Sequence, residues 1–139
     1  MKQHQESLRL RSRGRGLAEI TEAVAAVIRV SGIRTGLATL HLRHTSASLL
    51  IQENADPDVR RDLEAWFSRL VADGDRLFVH TMEGPDDMSA HVRTALTTVN
   101  LSIPVSDGRM VLGTWQGIYL WEHRTHPHTR ELVVHVLGE

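Results

Sequence analysis

Apolar and polar positions along the chain fall into several period-two runs and three longer stretches with helical spacing. "ESLRLRS" alternates and predicts a strand, "SRGRG" a turn, and "LAEI" a second short strand. Thr21 then reads as the N-cap of a helix over "EAVAAVIRVSG", with Val24, Val27 and Ile28 on one face and Gly32 near its C-cap. "GLATLHLRH" alternates again, placing Leu40, Leu42 and His44 on one face and His41 and Arg43 on the other. "ASLLIQE" predicts a further strand with Ala47, Leu49, Ile51 and Glu53 in phase. "NADPDVRRDLEAWFSRLVADG" carries the clearest helix signal: Asp56 caps, Pro57 suits the first helical position, and Asp58 favours the positive end of the dipole. Its apolar stripe is Val59, Leu63, Trp66, Phe67 and Leu70, which makes Trp66 a core residue. "RLFVH" predicts a short strand ending on His80, and "TMEGPDD" a loop. "MSAHVRTALTT" predicts a helix with Met88, Val92, Ala95 and Leu96 inward. Strands over "LSIPV", "RMVLG", "QGIYLWEH" and "RELVVHVLG" close the chain. Strands outnumber helices and do not interleave with them regularly, which favours an α+β fold with a largely antiparallel or mixed sheet.

Composition narrows this picture. A chain of 139 residues suits a single domain over 1–139, and 41% hydrophobic content supplies a core. No apolar run approaches the ~20 residues of a membrane span, and "MKQHQESLRLRSRGRG" lacks the apolar segment of a signal peptide. A cytoplasmic protein with no membrane partner is expected. The formal net charge of -1 argues against nucleic acid as a partner. Arg9, Arg11, Arg13 and Arg15 read as a solvated strand end and loop. With no Cys, a metal site would have to use His, carboxylates or water. Histidine is over-represented, with nine residues, and its placement matters more than its number.

Four polar clusters stand out. In "RHTSAS", His44, Thr45, Ser46 and Ser48 either bond nearby backbone at a bend or line a site. In "QENADP", Glu53 and Asn54 precede a helix, where capping and ligand binding both fit. In "HTMEGPDDMSAH", Asp86 and Asp87 enter a helix and His91 lies on or near its first turn. A cation is disfavoured there, whereas a neutral, metal-bound imidazole is not, and His80 can converge on the same point. The spacing matches no fixed metal motif. In "GTWQGIYLWEH", Gln116, Ile118, Leu120 and Glu122 share one face and Tyr119, Trp121 and His123 the other. Both faces are partly apolar, so the strand is expected to be covered on both sides. An inward Gln or Glu needs partners, because burying one unpaired costs ~2 kcal/mol or more. Trp115, at the mouth of that strand, is placed to form a flat wall.

Together, "HTSASLLIQENADPDVRRDLE", "EGPDDMSAH", "IPVSDGRMVLGTWQGIYLWEHR" and "RELVVHVLGE" resemble the YjbQ-like family, from about residue 5 to the C-terminus. The resemblance implies an α+β fold of two packed sheets, a homotrimer, and sites near subunit boundaries. The family's shared polar positions fall on His44, Thr45, Ser46, Glu53, Asn54, Asp56, Asp62, His80, Asp87, His91, Trp115, Gln116, Glu122 and Arg130. It also implies a metal near the histidines, here His44, His80 and His91, a set that suits zinc with an open fourth position. Ser89 stands where the family usually has Pro, and Thr98 where many members have Gly. His126 and His128 lie where relatives differ and read as surface residues. The family has been linked to thiamine-phosphate synthesis, in which a pyrimidine methyl pyrophosphate joins a thiazole phosphate. On that reading the metal (zinc, or magnesium with pyrophosphate), the helix start at Asp87 to His91 and Arg130 would serve the phosphates. Trp115 would stack on a ring, and Glu122 or Asp87 would carry a proton. Thr45, Ser46, Glu53, Asn54 and Gln116 would complete the binding of a small-molecule substrate. The same residues would also suit a metal-assisted hydrolase of a small phosphorylated or cyclic metabolite, or a trimeric metal- or metabolite-binding protein without turnover.

Overall fold

The computed structural model describes residues 1–139. In chain order the elements are β1 (Lys2–Arg11), β2 (Gly16–Glu19), α1 (Thr21–Ser31), β3 (Gly36–Leu42), β4 (Ala47–Glu53) and α2 (Pro57–Leu70). They continue with α3 (Asp87–Leu96), β5 (Asn100–Ser106), β6 (Arg109–Met110), β7 (Gln116–Glu122) and β8 (Thr129–Gly138). Two antiparallel sheets result: five strands in the order β1-β8-β3-β5-β6, and three in the order β2-β7-β4. The fold is α+β with three helices, as the patterning predicts. No helix is long and apolar enough to cross a membrane.

The main core lies between the two sheets and α1. Period-two alternation supplies Ala38, Leu40 and Leu42 from β3 and Leu132, Val134 and Val136 from β8. Ala47 and Leu49 from β4 and Ile118 and Leu120 from β7 face them, and Val24, Val27 and Ile28 of α1 close the cluster. The opposite face of the three-stranded sheet is also covered: Trp121 packs on Phe67 of α2 with ring centroids 4.9 Å apart. Hence β7 is buried on both faces from Gly117 to Glu122, as its two apolar faces suggested.

Several expectations are corrected. Thr21 is not an N-cap: Ile20 holds that position, and Thr21 Oγ1 instead accepts the Ile118 N–H (2.9 Å), tying α1 to β7. The C-cap was legible, since Gly32 adopts the left-handed conformation (φ 68°). Residues 76–80 form no strand. Asp75 turns the chain there, its Oδ1 accepting the Leu77 N–H (2.9 Å) and its carbonyl the Phe78 N–H (3.0 Å). Leu77 and Val79 are left 83% and 96% exposed. Ala95 and Leu96 of α3 face outward, and the buried face is largely polar: Asp87, Ser89, Ala90 and Arg93. Arg93 is tolerated because it donates to Glu64 (3.0 Å) and the Val71 carbonyl (3.1 Å). Arg15 is not a solvated charge either: it donates two bonds to Asp73 (2.8 and 2.9 Å) and bonds the His123 carbonyl.

Trp66 is 54% exposed and meets Phe67 edge to face, with ring centroids 6.4 Å apart. Leu70, on the same predicted stripe, is 57% exposed, whereas Phe67 enters the core as predicted, joined by Val71 at the end of the helix. Trp66→Ala should therefore cost about 1 kcal/mol or less, against the ~3–5 kcal/mol of a buried aromatic truncation. Urea denaturation of the variant measures the difference.

Candidate metal centre

The segment joining α2 to α3 carries two adjacent carboxylates into the start of α3. Asp86 is the N-cap residue but makes no side-chain cap bond. Its Oδ2 is taken by Arg124 Nε (3.0 Å) and by the Thr125 N–H (2.9 Å). Burial alone would raise the Asp86 carboxyl, but the bonds from Arg124 and Thr125 hold it well below the usual carboxylate range. Ser89, where Pro was expected, bonds the Asp73 carboxylate and the Asp86 carbonyl, so it fastens the helix entry.

Asp87 is 2% exposed and points both oxygens at cations or imidazoles. Oδ1 accepts from Arg124 Nη1 (2.9 Å). Oδ2 lies 2.8 Å from His80 Nε2 and 3.2 Å from His91 Nε2. The two rings sit edge to face with centroids 5.6 Å apart. His80, Asp87 and His91 thus offer one donor atom each within 4.8 Å of one another. Asp87 and His91 are four residues apart on one helix face, the spacing at which side chains meet. Burial pushes the Asp87 carboxyl up, but the His80 bond and the charges of His91 and Arg124 outweigh this and bring it down.

The donor set fits a divalent cation on chemical grounds. Two imidazoles and one carboxylate form a common catalytic zinc set, and three protein donors leave coordination positions open. The surroundings fit as well. His91 Nδ1 is 3.0 Å from the Thr45 carbonyl, so that nitrogen can hold the ring proton and leave Nε2 free to ligate. Arg124 anchors the carboxylate oxygen that the imidazoles do not use. Beside His80 opens a cavity of about 370 Å³ lined by Arg76, Phe78, Thr81 and Met88 among others.

His44 is not part of this group. Its Nε2 accepts the Glu131 N–H (2.7 Å), which puts the ring proton on Nδ1, so neither nitrogen has a lone pair free for a cation. Burial and the Arg130 charge push its pKa down. Glu122 and Arg130 are 1% and 4% exposed and bond each other through both carboxylate oxygens. Ser12 Oγ (2.6 Å) and the backbone N–H groups of His123 and Arg124 complete the shell of Glu122. Burial raises the Glu122 carboxyl, but the bonds from Arg130 and Ser12 more than offset it, and the net displacement is downward. Ser46 contributes its hydroxyl and carbonyl to Arg130. These residues make a buried strut.

The remaining predicted ligands lie at the far end of the same strands. Glu53 pairs with Gln116, whereas Glu122 pairs with Ala47. Six residues of strand separate the two ends, roughly 20 Å. There Glu53 Oε2 accepts the Asp56 N–H (3.1 Å) and Asp56 caps α2 through the Asp58 N–H (2.9 Å). The Asn54 N–H bonds the Trp115 carbonyl (3.0 Å), and Gln116 Oε1 accepts the Gly113 N–H (2.8 Å). Trp115 is 63% exposed. The polar positions therefore form three groups in one protomer, and only His80, Asp87, His91 and the Thr45 carbonyl converge. Patterning passed over Arg124, although it directly follows the "WEH" of β7, because a single Arg after a strand carries no periodic signal.

The family described as "UPF0047 protein YjbQ-like" matches residues 6–139. A UPF0047 protein of Synechocystis sp. is 53% identical over 99% of this chain and 94% of its own length. UPF0047 protein YjbQ of Salmonella typhimurium is 42% identical over 98% and 99% of the two chains. Among solved structures, a conserved hypothetical protein of Thermus thermophilus superposes with a TM-score of 0.86 at 33% identity, covering 95% of this chain and 99% of that one. A YbjQ-like protein of unknown function from Sulfolobus solfataricus shares the fold, with a TM-score of 0.89 at 24% identity over 99% of each chain.

Proposed function

The chain belongs to the UPF0047 YjbQ-like family, and from that premise we propose that it binds a divalent metal, zinc in first place, at His80, Asp87 and His91 and acts there on a small phosphorylated substrate. The convergence of three braced donor atoms carries this reading. Bound there, the cation would supply Lewis-acid chemistry toward a phosphoryl group. His80 lies at the boundary between this donor set and the neighbouring cavity, where Phe78 offers an apolar wall and Arg76 a cation for an anionic substrate. Thr45 and Arg124 hold the donors in place. Asp87, committed to Arg124 and the imidazoles, acts as a ligand and not as the proton carrier. Metal-assisted hydrolysis of a phosphorylated or cyclic metabolite is the reaction class these groups suit best, because the neighbouring carboxylate, Asp86, is committed to Arg124 and Thr125, which leaves Asp87 as the one carboxylate facing the imidazoles.

One observation favours the second reading, thiamine-phosphate formation. Trp115 is exposed at one end of the protomer, and Leu77, Val79 and Met82 are exposed beside His80 at the other. Such apolar surface marks contact with another molecule. A homotrimer that set Trp115, Gln116, Glu53 and Asn54 of one copy against the metal group of the next would assemble the ring wall that a single copy lacks.

Elemental analysis of the purified protein, reading zinc, iron, manganese and magnesium together, tests the site. About one metal per chain is expected, falling to background in His91→Ala and unchanged in His44→Ala. Full occupancy in His91→Ala would remove the site. Assay of the metal-loaded protein on phosphate esters, cyclic phosphodiesters and the two thiamine-phosphate precursors then separates hydrolysis, transfer and binding without turnover.

A further inference from the structure

A cavity larger than the one beside His80 lies away from the metal group. It lies along α1, from Thr21 to Arg29, against the turn joining β5 to β6, with a volume of about 650 Å³, within the range of small-molecule sites. It shares no lining residue with the cavity beside His80. Its floor is apolar: Ala25 and Ile28 from α1, Ile33, and Met110 and Leu112 beyond the turn.

Its rim is cationic. Arg29, Arg34 and Arg109 line it, against Asp107 as the one carboxylate. Arg29 is paired with Glu22 (2.6 Å) and Arg34 with Asp107 (3.1 Å), both pairs largely solvent-exposed. Exposed pairs of this kind hold weakly and exchange readily for another anion. Arg109 forms no ion pair within the protomer, so one guanidinium is unspent. The wall carrying it is fixed. Asp107 and Gly108 both have positive φ (51° and 74°), the geometry of a two-residue hairpin turn that matches strand twist. The Gly108 N–H then bonds the Arg34 carbonyl (3.0 Å), fastening the turn to the segment after α1. The cleft is thus preformed, which limits the ordering lost when something binds.

We propose that this cleft is a second ligand site, for a small amphipathic anion whose flat or aliphatic body lies on Ala25, Ile28 and Met110 and whose carboxylate, sulfonate or phosphate is met by Arg109 and Arg34. An apolar floor alone would take any greasy molecule. The unpaired guanidinium and the cationic excess select an anion, since a charge-assisted hydrogen bond is roughly twice as strong as a neutral one.

Isothermal titration of the full-length protein with naphthalene-1-sulfonate and with its neutral counterpart naphthalene-1-methanol tests this. The sulfonate should bind saturably at one site per chain, and the alcohol about tenfold more weakly. Arg109→Ala, an exposed change, should weaken the sulfonate by a similar factor, and added salt should weaken it further. Ala25→Phe, which fills the floor, should abolish binding while leaving metal content and far-UV circular dichroism unchanged. Equal affinity for the two probes, or sulfonate binding unaltered in both variants, would overturn the proposal. So would a change of oligomeric mass in Ala25→Phe, which would assign the cleft to a second copy of the chain.

Discussion

Glu122→Ala should destabilise the protein by about 3–5 kcal/mol, a large share of the ~5–15 kcal/mol that holds a domain of this size folded. The reason is the Arg130 guanidinium, not the lost carboxylate itself. Arg130 is 4% exposed and donates from Nε and Nη2 to Glu122. Without Glu122 it keeps only the Ser46 contacts (3.0 and 3.2 Å) and the long approach to His44, so a buried charge is left without an anion. Ser12 and the N–H groups of His123 and Arg124 lose an acceptor at the same time. The double variant Glu122→Leu/Arg130→Met removes both charges at similar volume and should recover much of the loss. Urea midpoints of the single and double variants give the energies. The catalytic role that sequence suggests for Glu122 makes the opposite forecast: activity gone, midpoint unchanged. A full-strength midpoint in Glu122→Ala would return this residue to the reaction.

Glu122 also shows where sequence stops being informative. Periodicity placed it correctly on an inward face and required a partner for it. A buried carboxylate bonded to a neighbouring Arg reads the same along the chain as one awaiting substrate. The partner, eight residues on, lies in β8 of the other sheet, and only the packing of the two sheets brings it to Glu122. The metal group divides in a similar way. His91 was legible because an imidazole is out of place near a helix N-terminus, and Asp87 was within reach through its i, i+4 spacing. His44 was not excludable in advance. Its Nε2 accepts the Glu131 N–H on the neighbouring strand, and nothing local to "RHTSAS" encodes that. Most strands and α1 followed their periodicities. The exceptions were residues 76–80, an apolar run with no strand to pair with, Trp66 and Leu70 of α2, which face outward, and α3, whose inward face is polar because distant Glu64 and Arg124 neutralise it.

His123 should make the fold acid-sensitive well above the carboxylate range. Its side chain is fully buried, with ring centroids 6.0 Å from Phe67 and 5.3 Å from Trp121, and its Nε2 is 2.8 Å from Ser48 Oγ. Its Nδ1 has no partner. Burial, reinforced by the nearby Arg93 charge, pushes the imidazole down to about 3. In the unfolded chain it titrates near its ordinary value of about 6.5. Above that value both states are neutral and the full stability is present. As pH falls below it, only the unfolded chain takes up the proton, so stability declines by up to ~1.4 kcal/mol per pH unit until the folded imidazole is protonated too. Between the two values the sum is on the order of 5 kcal/mol. His44, whose pKa is also lowered, adds to the same decline. Glu122, Asp73, Asp86 and Asp87 are held low by their partners and lose their contributions only at lower pH, within the carboxylate range. The interval between about pH 6.5 and pH 4.5 therefore isolates the imidazoles. His123→Gln keeps a hydrogen-bonding group near Ser48 and cannot take the proton. It should be less stable than the native chain at neutral pH because it packs less well against Phe67 and Trp121, yet its urea midpoint should fall much less over that interval. Parallel curves for the two proteins would show that His123 is not the group being protonated.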